Sequence, residues 1–303
     1  MSEREIRILL DRLRKEVRGL REEIDSLKDR ERAGLMELKG MLRRRGLNPF
    51  RENPVHHLLF PPTFSASQRN SFYALFGRYS FRLFLREILA RKEGFRLSEV
   101  VRYSSPETGR RYLRSLIELA LVDPAGGRRF RLRPVPTASL GPTLEWFMAE
   151  TMRREFTCPA LYGLRCRGTR FGGDYDVVAG LEGQLVYLEA KSSPPKNIHG
   201  EEVHAFFGRL RDLLPHLALF FVDTELRLKD KIVPLFEAER RAEDPRPAAG
   251  VQRIADEIFF APPRIYILGS KRSIVRNIEA CFQHHFTFLS PSPGNGAPDR
   301  IQP

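Results

Sequence analysis

Cysteine is scarce in this chain, with only Cys158, Cys166 and Cys281 among 303 residues. An odd number at wide spacing, with no CxxC pair, excludes a disulfide-stapled scaffold and offers no zinc or dithiol pattern. Cys281 with the nearby His284 and His285 lacks a second ligand pair and reads as a helix end with a buried thiol. Long apolar runs are missing too. Nothing approaches the roughly 18 apolar residues of a membrane span, and no apolar stretch follows Met1. The expectation is a soluble, cytoplasmic protein with no membrane partner. Internal repeats and low-complexity tracts are absent, which sets aside solenoids and fibrous classes.

What is abundant is positive charge, and its position says more than its size. The net charge is +13, from 51 Lys+Arg against 38 Asp+Glu. Residues 1–135 hold 30 of the basic and 17 of the acidic residues, so the whole excess lies in that part. Such an excess suits a polyanionic partner, and duplex DNA is the expected one. With 42% hydrophobic residues the chain can bury more than one core, and a multidomain protein is expected.

Residues 1–46 read as one helix without proline. Ile6, Leu10, Leu13, Val17, Leu20, Ile24 and Leu27 follow steps of four and three, a heptad seam with Leu10, Val17 and Ile24 at a and the others at d. That pattern predicts a parallel coiled-coil homodimer through residues 3–30. The seam weakens at Glu31 and Gly34. Residues 47–70 carry prolines and few periodic cues and read as a linker, with His56 and His57 as packing or surface residues.

Residues 71–135 show a helix-turn-helix rhythm. A first helix, SFRLFLREILARKEG, is followed by FRLSEVVRY, a turn at Ser104-Ser105-Pro106, and the helix ETGRRYLRSLIELALV, with Pro106 in its first turn. DPAGGRRFRLRP then pairs a Gly-Gly turn with a short strand. This is similar to a winged helix, an α+β module. Tyr112, Leu113, Leu116, Ile117 and Leu119 would face its core. Arg110, Arg111 and Arg114 would lie on the recognition helix, and Arg128, Arg129 and Arg131 on the wing could reach phosphates. Winged helices also bind proteins, so that role stays open.

The chemistry is concentrated in residues 136–290. GGDYDVVAGLEGQLVYLEAKS reads as two strands joined as a hairpin, carrying Asp174 and Asp176 on one arm and Glu189 and Lys191 on the other. Alternation puts Glu189 and Lys191 on one face and Val186, Leu188 and Ala190 on the other. Charges at the end of an apolar run need a reason, and a divalent cation offsets several carboxylates at once. Register decides which aspartate faces Glu189. A two-residue turn at Leu181-Glu182 would choose Asp174, and a four-residue turn would choose Asp176.

The DYD and EAK motifs at this spacing resemble the PD-(D/E)XK phosphodiesterase superfamily over residues 140–290. The family's proline is absent, with Gly173 and Tyr175 preceding the two aspartates. The resemblance implies an α/β restriction-endonuclease-like mixed sheet. It also implies Asp176 and Glu189 as ligands of Mg²⁺ or Mn²⁺, and Lys191 as the residue that positions the attacking water. Asp176 is favoured because it runs directly into the apolar Val177-Val178, with Asp174 as a supporting or additional ligand. The family's helical glutamate has its match in Glu145, ahead of Glu150 on another face. His204 and Arg211 on the following helix read as surface residues, Trp146 as a core anchor, and Tyr187 as pocket lining or cross-strand packing. Strands are expected in LYGLRCRG, LALFFVDT and RIYILGS, with helices near 201–214 and 273–285. Between Asp223 and Arg264 the stretch EAERRAEDPRPAAG, residues 237–250, reads as an exposed excursion, and a disordered tail is expected at 291–303.

The implied enzyme is a metal-dependent DNA endonuclease, dimerised by its N-terminal helix and recruited to duplex by the winged helix. RNA remains open as a substrate, because this chemistry does not distinguish sugars. The alternative is a non-catalytic dimeric DNA-binding regulator or scaffold with a nuclease-like domain.

Overall fold

The computed structural model describes residues 3–91, 94–134, 139–244 and 250–289. The protein is mixed α/β, with a helical N-terminal region and a large mixed sheet. In chain order the elements begin with α1 (Glu3–Arg44) and β1 (Asn48–Arg51). The helices α2 (Ala66–Phe76), α3 (Tyr79–Leu89), α4 (Leu97–Val100) and α5 (Pro106–Glu118) follow, then a hairpin of β2 (Val122–Pro124) and β3 (Phe130–Leu132). Next come α6 (Gly141–Phe156), β4 (Ala160–Arg167), β5 (Asp174–Leu181), β6 (Gln184–Lys191), α7 (Gly200–Leu213) and β7 (Leu217–Val222). The chain finishes with α8 (Ile232–Glu243), β8 (Gln252–Ala255), β9 (Ile258–Ala261), β10 (Ile265–Gly269) and α9 (Ile274–Leu289).

The sheet has eight strands in the order β1-β4-β5-β6-β7-β10-β9-β8. β4, β5 and β6 form an antiparallel meander. β6, β7 and β10 are parallel, and β9 is antiparallel to β10. β6, β7 and β10 are buried on both faces, which explains their near-continuous apolar sequences. One face packs on α6, α9 and the N-terminal helices, the other on α7, α8 and the end of α1.

Local capping starts two of the helices. Ser65 and Gln68 form a capping box for α2, and Ser105 caps α5 with Pro106 just inside it. Tyr112, Leu113, Leu116 and Leu119 face inward, but Ile117, expected in that core, is 38% exposed. α5 packs so closely on α4 that a Cβ at Gly109 would stand 2.3 Å from Val101.

Two regions differ from expectation. Residues 47–70 are not a free linker: β1 pairs with β4, and Leu58, Leu59, Phe60 and Phe64 are buried. The Leu59 amide donates to Thr143 at 2.9 Å, and Phe60 meets Trp146 edge-on at 4.8 Å. The prolines there shape turns between buried contacts, and those contacts fix the segment. The expected excursion at 237–250 also begins as helix, since α8 runs through Glu243, with His204 and Arg211 of α7 pairing Glu239 and Glu243. Part of the expected excursion, residues 245–249, and the expected tail, residues 291–303, lie outside the described residues.

α1 divides in two. From Ile6 to Leu27 the seam residues are between 41% and 59% exposed, whereas Leu38 and Met41 on the same stripe are buried against the chain's own body. Gly34 marks the transition, with a Cβ there 3.2 Å from Pro159. No described helix is long and apolar enough to cross a membrane.

Candidate active site

The hairpin between β5 and β6 turns at Glu182-Gly183, with φ of 48° and 75°. Both values lie in the left-handed region, which a type I′ turn requires. Leu181 therefore pairs with Gln184 and Val177 with Leu188. The turn falls one residue later than the two-residue alternative considered from sequence. Carried one step on, the ladder sets Asp176 opposite Glu189, the register that the four-residue alternative would have produced.

Alternation along β4 and β5 breaks at matched places. Tyr162 and Val177 lie on the α6 face, and Leu161 and Val178 lie on the α7 face. Leu164 and Tyr175 should then share the first face, yet both lie on the second. The break falls at Gly163, whose φ is +52°, and at Asp176, which stands across from it between the pairs Tyr162–Val177 and Leu164–Tyr175. Only glycine adopts this backbone freely and leaves the space empty, since a Cβ would come 2.7 Å from Pro54. That Cβ position is also 3.6 Å from Glu145 Oε2. The missing side chain gives Glu145, on the α6 face, a way to the two acids on the strands.

The acidic residues stand in different surroundings. Asp176 is partly accessible but closely surrounded, and its Oδ2 accepts the Ala190 amide at 2.7 Å. Burial and then Glu189 push its carboxyl up to about 7, against the pull of the Ala190 amide, Lys191 and Arg209. Burial, followed by Asp176 and Glu189, pushes Glu145 up to about 9. Glu189 is buried and fully engaged: it accepts from the Tyr187 hydroxyl, from Lys191 Nζ at 2.7 Å and from Arg209 Nη1 at 3.3 Å. Burial and then Glu189 also drive the Tyr187 phenol well above its ordinary value. Asp174 is exposed and paired with Arg165. Among the described residues, no three His, Cys, Asp or Glu side chains are close enough as they stand to share an ion.

Tyr187 thus touches the site through its hydroxyl, while Trp146 is buried in the core. Glu150 pairs with Arg153 and Arg154, His204 with Glu239, and Arg211 with Glu243, all away from the acids. Arg110, Arg111, Arg114, Arg128 and Arg131 are exposed around α5 and the β2–β3 hairpin. Arg129 differs, since it is half-buried and donates to the Gly94 carbonyl at 3.0 Å.

Sequence reasoning missed four residues here: Arg51, Gly163, Arg165 and Arg209. Only the cross-strand registers and the placement of α7 bring them to the acids, and no local motif announces them. It also missed a buried ionic junction beside the site. Asp223, at the end of β7, accepts from Arg82 at 2.8 Å, Arg86 at 2.6 Å and Ser270 at 2.6 Å, and its own amide bonds the Lys191 carbonyl at 2.8 Å.

No protein-family model and no curated protein matches the chain. Solved structures resembling it include protein VC1899 from Vibrio cholerae, at 16% identity and a TM-score of 0.42, covering 83% of this chain and 61% of that one. Another is Can2 from Sulfobacillus thermosulfidooxidans in complex with cyclic tetra-adenylate, at 12% identity and a TM-score of 0.45, covering 84% and 62%. The chain thus spans about three fifths of each of these proteins. At TM-scores below 0.5, neither likeness decides the fold or the function.

Proposed function

We propose that the protein is a metal-dependent phosphodiesterase that cuts DNA. The observation that carries this reading is that Asp176 and Glu189 stand on facing strand positions, with Lys191 on Glu189, and that Glu145 lies near enough for both charges to act on it. Asp176 and Glu189 are set by the β5–β6 register, and Glu145 arrives from the opposite face past Gly163. Two of these carboxyls are held above their ordinary values by burial and by one another. Such a like-charge group is costly in an apolar setting without a cation.

The donor types fit Mg²⁺ or Mn²⁺, both of which prefer oxygen ligands. Asp176, Glu189 and Glu145 would hold the ion, once Glu189 exchanges part of its contact with Tyr187, Lys191 and Arg209. When bound, the ion would polarise the phosphate and acidify the attacking water. Lys191 stays beside Glu189 through its 2.7 Å contact, where an ammonium can orient that water and offset charge building on the phosphate oxygens. The Ala190 amide keeps Asp176 in its rotamer.

The exposed arginines on α5 and the hairpin support docking of duplex by the helical module. Dimerisation through residues 6–27 belongs to the same reading. With Leu10 at a, Glu16 and Glu23 occupy g, and Arg21 and Lys28 occupy the e positions they meet in a parallel pair. The body lies on the same stripe beyond Gly34, so parallel helices must part near Glu31–Gly34 for both bodies to fit.

The test is cleavage of supercoiled, linear and single-stranded DNA, and of RNA, with and without Mg²⁺ or Mn²⁺, comparing the native chain with Lys191→Ala and Asp176→Asn. Cutting that needs metal and vanishes in both variants is the expected result. Survival of cutting in the variants overturns the assignment of the centre. The fully partnered Glu189 favours a second reading, a non-catalytic DNA-binding scaffold. That reading gains if the native chain neither cuts nor binds Mn²⁺ by calorimetry while still binding duplex.

A further inference from the structure

Strand register builds a charged row across three strands at the rim of the acidic centre. Arg51 on the edge strand β1 pairs with Arg165 on β4, and Arg165 pairs with Asp174 on β5. Two guanidinium groups therefore sit on directly paired positions, which is repulsive by itself. Asp174 is the carboxylate they share. Arg165 takes both of its oxygens, with Nη2 at 3.1 Å from Oδ2 and Nε on Oδ1. Arg51 Nη2 stands 3.9 Å from Oδ1.

A third arginine closes the row. Arg209 on α7 donates Nε to the Asp174 carbonyl at 2.9 Å and turns Nη1 toward Glu189. Positive charge is in excess along this rim, and a donor is left open: Arg51 Nε is buried without a hydrogen-bond partner. An exposed aspartate shared by repelling arginines is held as an anchor, with its lone pairs already committed. The chemistry that completes such a row is a tetrahedral oxyanion, since guanidinium groups bind phosphate oxygens in pairs.

We propose that Arg51, Arg165 and Arg209 form a subsite for a DNA backbone phosphate neighbouring the one that is cut, with Asp174 as the anchor of the arginines and not a metal ligand. This rests on the phosphodiesterase reading of the site. The rim would fix the register of the strand, so that the scissile phosphate lies at Asp176, Glu189 and Lys191. The arginines are positioning residues for the substrate.

The test is binding of a short DNA duplex to the full chain in EDTA over a series of NaCl concentrations, so no cleavage is needed to read it. The double variant Arg51→Gln/Arg165→Gln should bind about tenfold more weakly, and the slope of log affinity against log salt should fall by about one, the share of one phosphate. The matching double lysine variant should recover the slope, which a merely structural role for the guanidinium groups would not produce. Arg51→Gln alone, on an edge strand, should weaken binding and lower the slope in the same direction by less than about one, a readout that stands even if the double variant fails to fold. Unchanged affinity and slope in a folded Arg51→Gln/Arg165→Gln protein overturns the subsite. Asp174→Asn should leave Mn²⁺ binding intact by calorimetry, and its loss there overturns the anchor role. Failure of the native chain to cut DNA would count against the phosphodiesterase reading alone, because the salt slope reports on the arginines separately.

Discussion

Two charge clusters stand at the carboxyl ends of β6 and β7, joined by the hydrogen bond between the Asp223 amide and the Lys191 carbonyl. At the junction one buried aspartate meets two arginines and a serine hydroxyl. At the neighbouring site carboxylates face one another, and two of them are driven up by burial and mutual repulsion. The first cluster is complete as it stands, and the second is stressed. Opposite charges with full hydrogen bonding hold the helical region onto the sheet. Like charges gathered at a kink do little for stability, and they are where chemistry is to be sought.

Substitutions should separate the two clusters. The largest effect expected is on activity: Asp176→Asn or Lys191→Ala should lower metal-dependent DNA cleavage by at least about a hundredfold, while urea unfolding of Asp176→Asn shows stability kept or raised, because the change relieves the repulsion from Glu189. At the junction the order reverses. Arg82→Ala leaves Asp223 buried without one of its two arginines and should cost about 3–5 kcal/mol in urea unfolding. If both variants lose stability alike, the contrast fails.

A smaller effect is expected where backbone geometry opens the site. Gly163→Ala puts a Cβ at a φ of +52° and against Pro54, and should cost about 1–3 kcal/mol in the same assay. It should also depress cleavage, since the added atom stands beside Glu145.

The pH dependence of stability sharpens the contrast further. A carboxyl raised in the folded state contributes stability at low pH that is lost as pH climbs through the folded value. For Asp176 the loss runs from its ordinary 3.8 to about 7, and for Glu145 from 4.5 to about 9. In EDTA the melting temperature should therefore fall across this window through these two groups, and Glu145→Gln should flatten the upper part of the fall. The smallest effect concerns the far end of α1. Leu20→Asp should halve the mass seen by light scattering if the seam pairs two copies, with little change in the melting of the body.

Much of the frame was legible in the sequence because it rests on local chemistry. The turn at Ser104-Ser105, Pro106, the heptad stripe and the alternation of QLVYLEAK each constrain a few neighbouring residues, and helices and strands form where those constraints point. Residues 47–70 and the start of 237–250 were not legible in the same way. Their prolines and charges read as loops, and what orders them is contact with distant partners, Thr143 and Trp146 for the first, His204 and Arg211 for the second.

The site divides along the same line. By itself the sequence pointed to the residues of the proposed chemistry, Asp176, Glu189 and Lys191 among them, since spacing along two strands suffices to bring them near one another. Tertiary structure decided the rest: the turn at Glu182-Gly183 that sets Asp176 across from Glu189, the kink at Gly163 that admits Glu145, and the arginines brought in from β1, β4 and α7. Register and helix placement are settled by packing summed over whole faces of a sheet, and no short motif contains that sum.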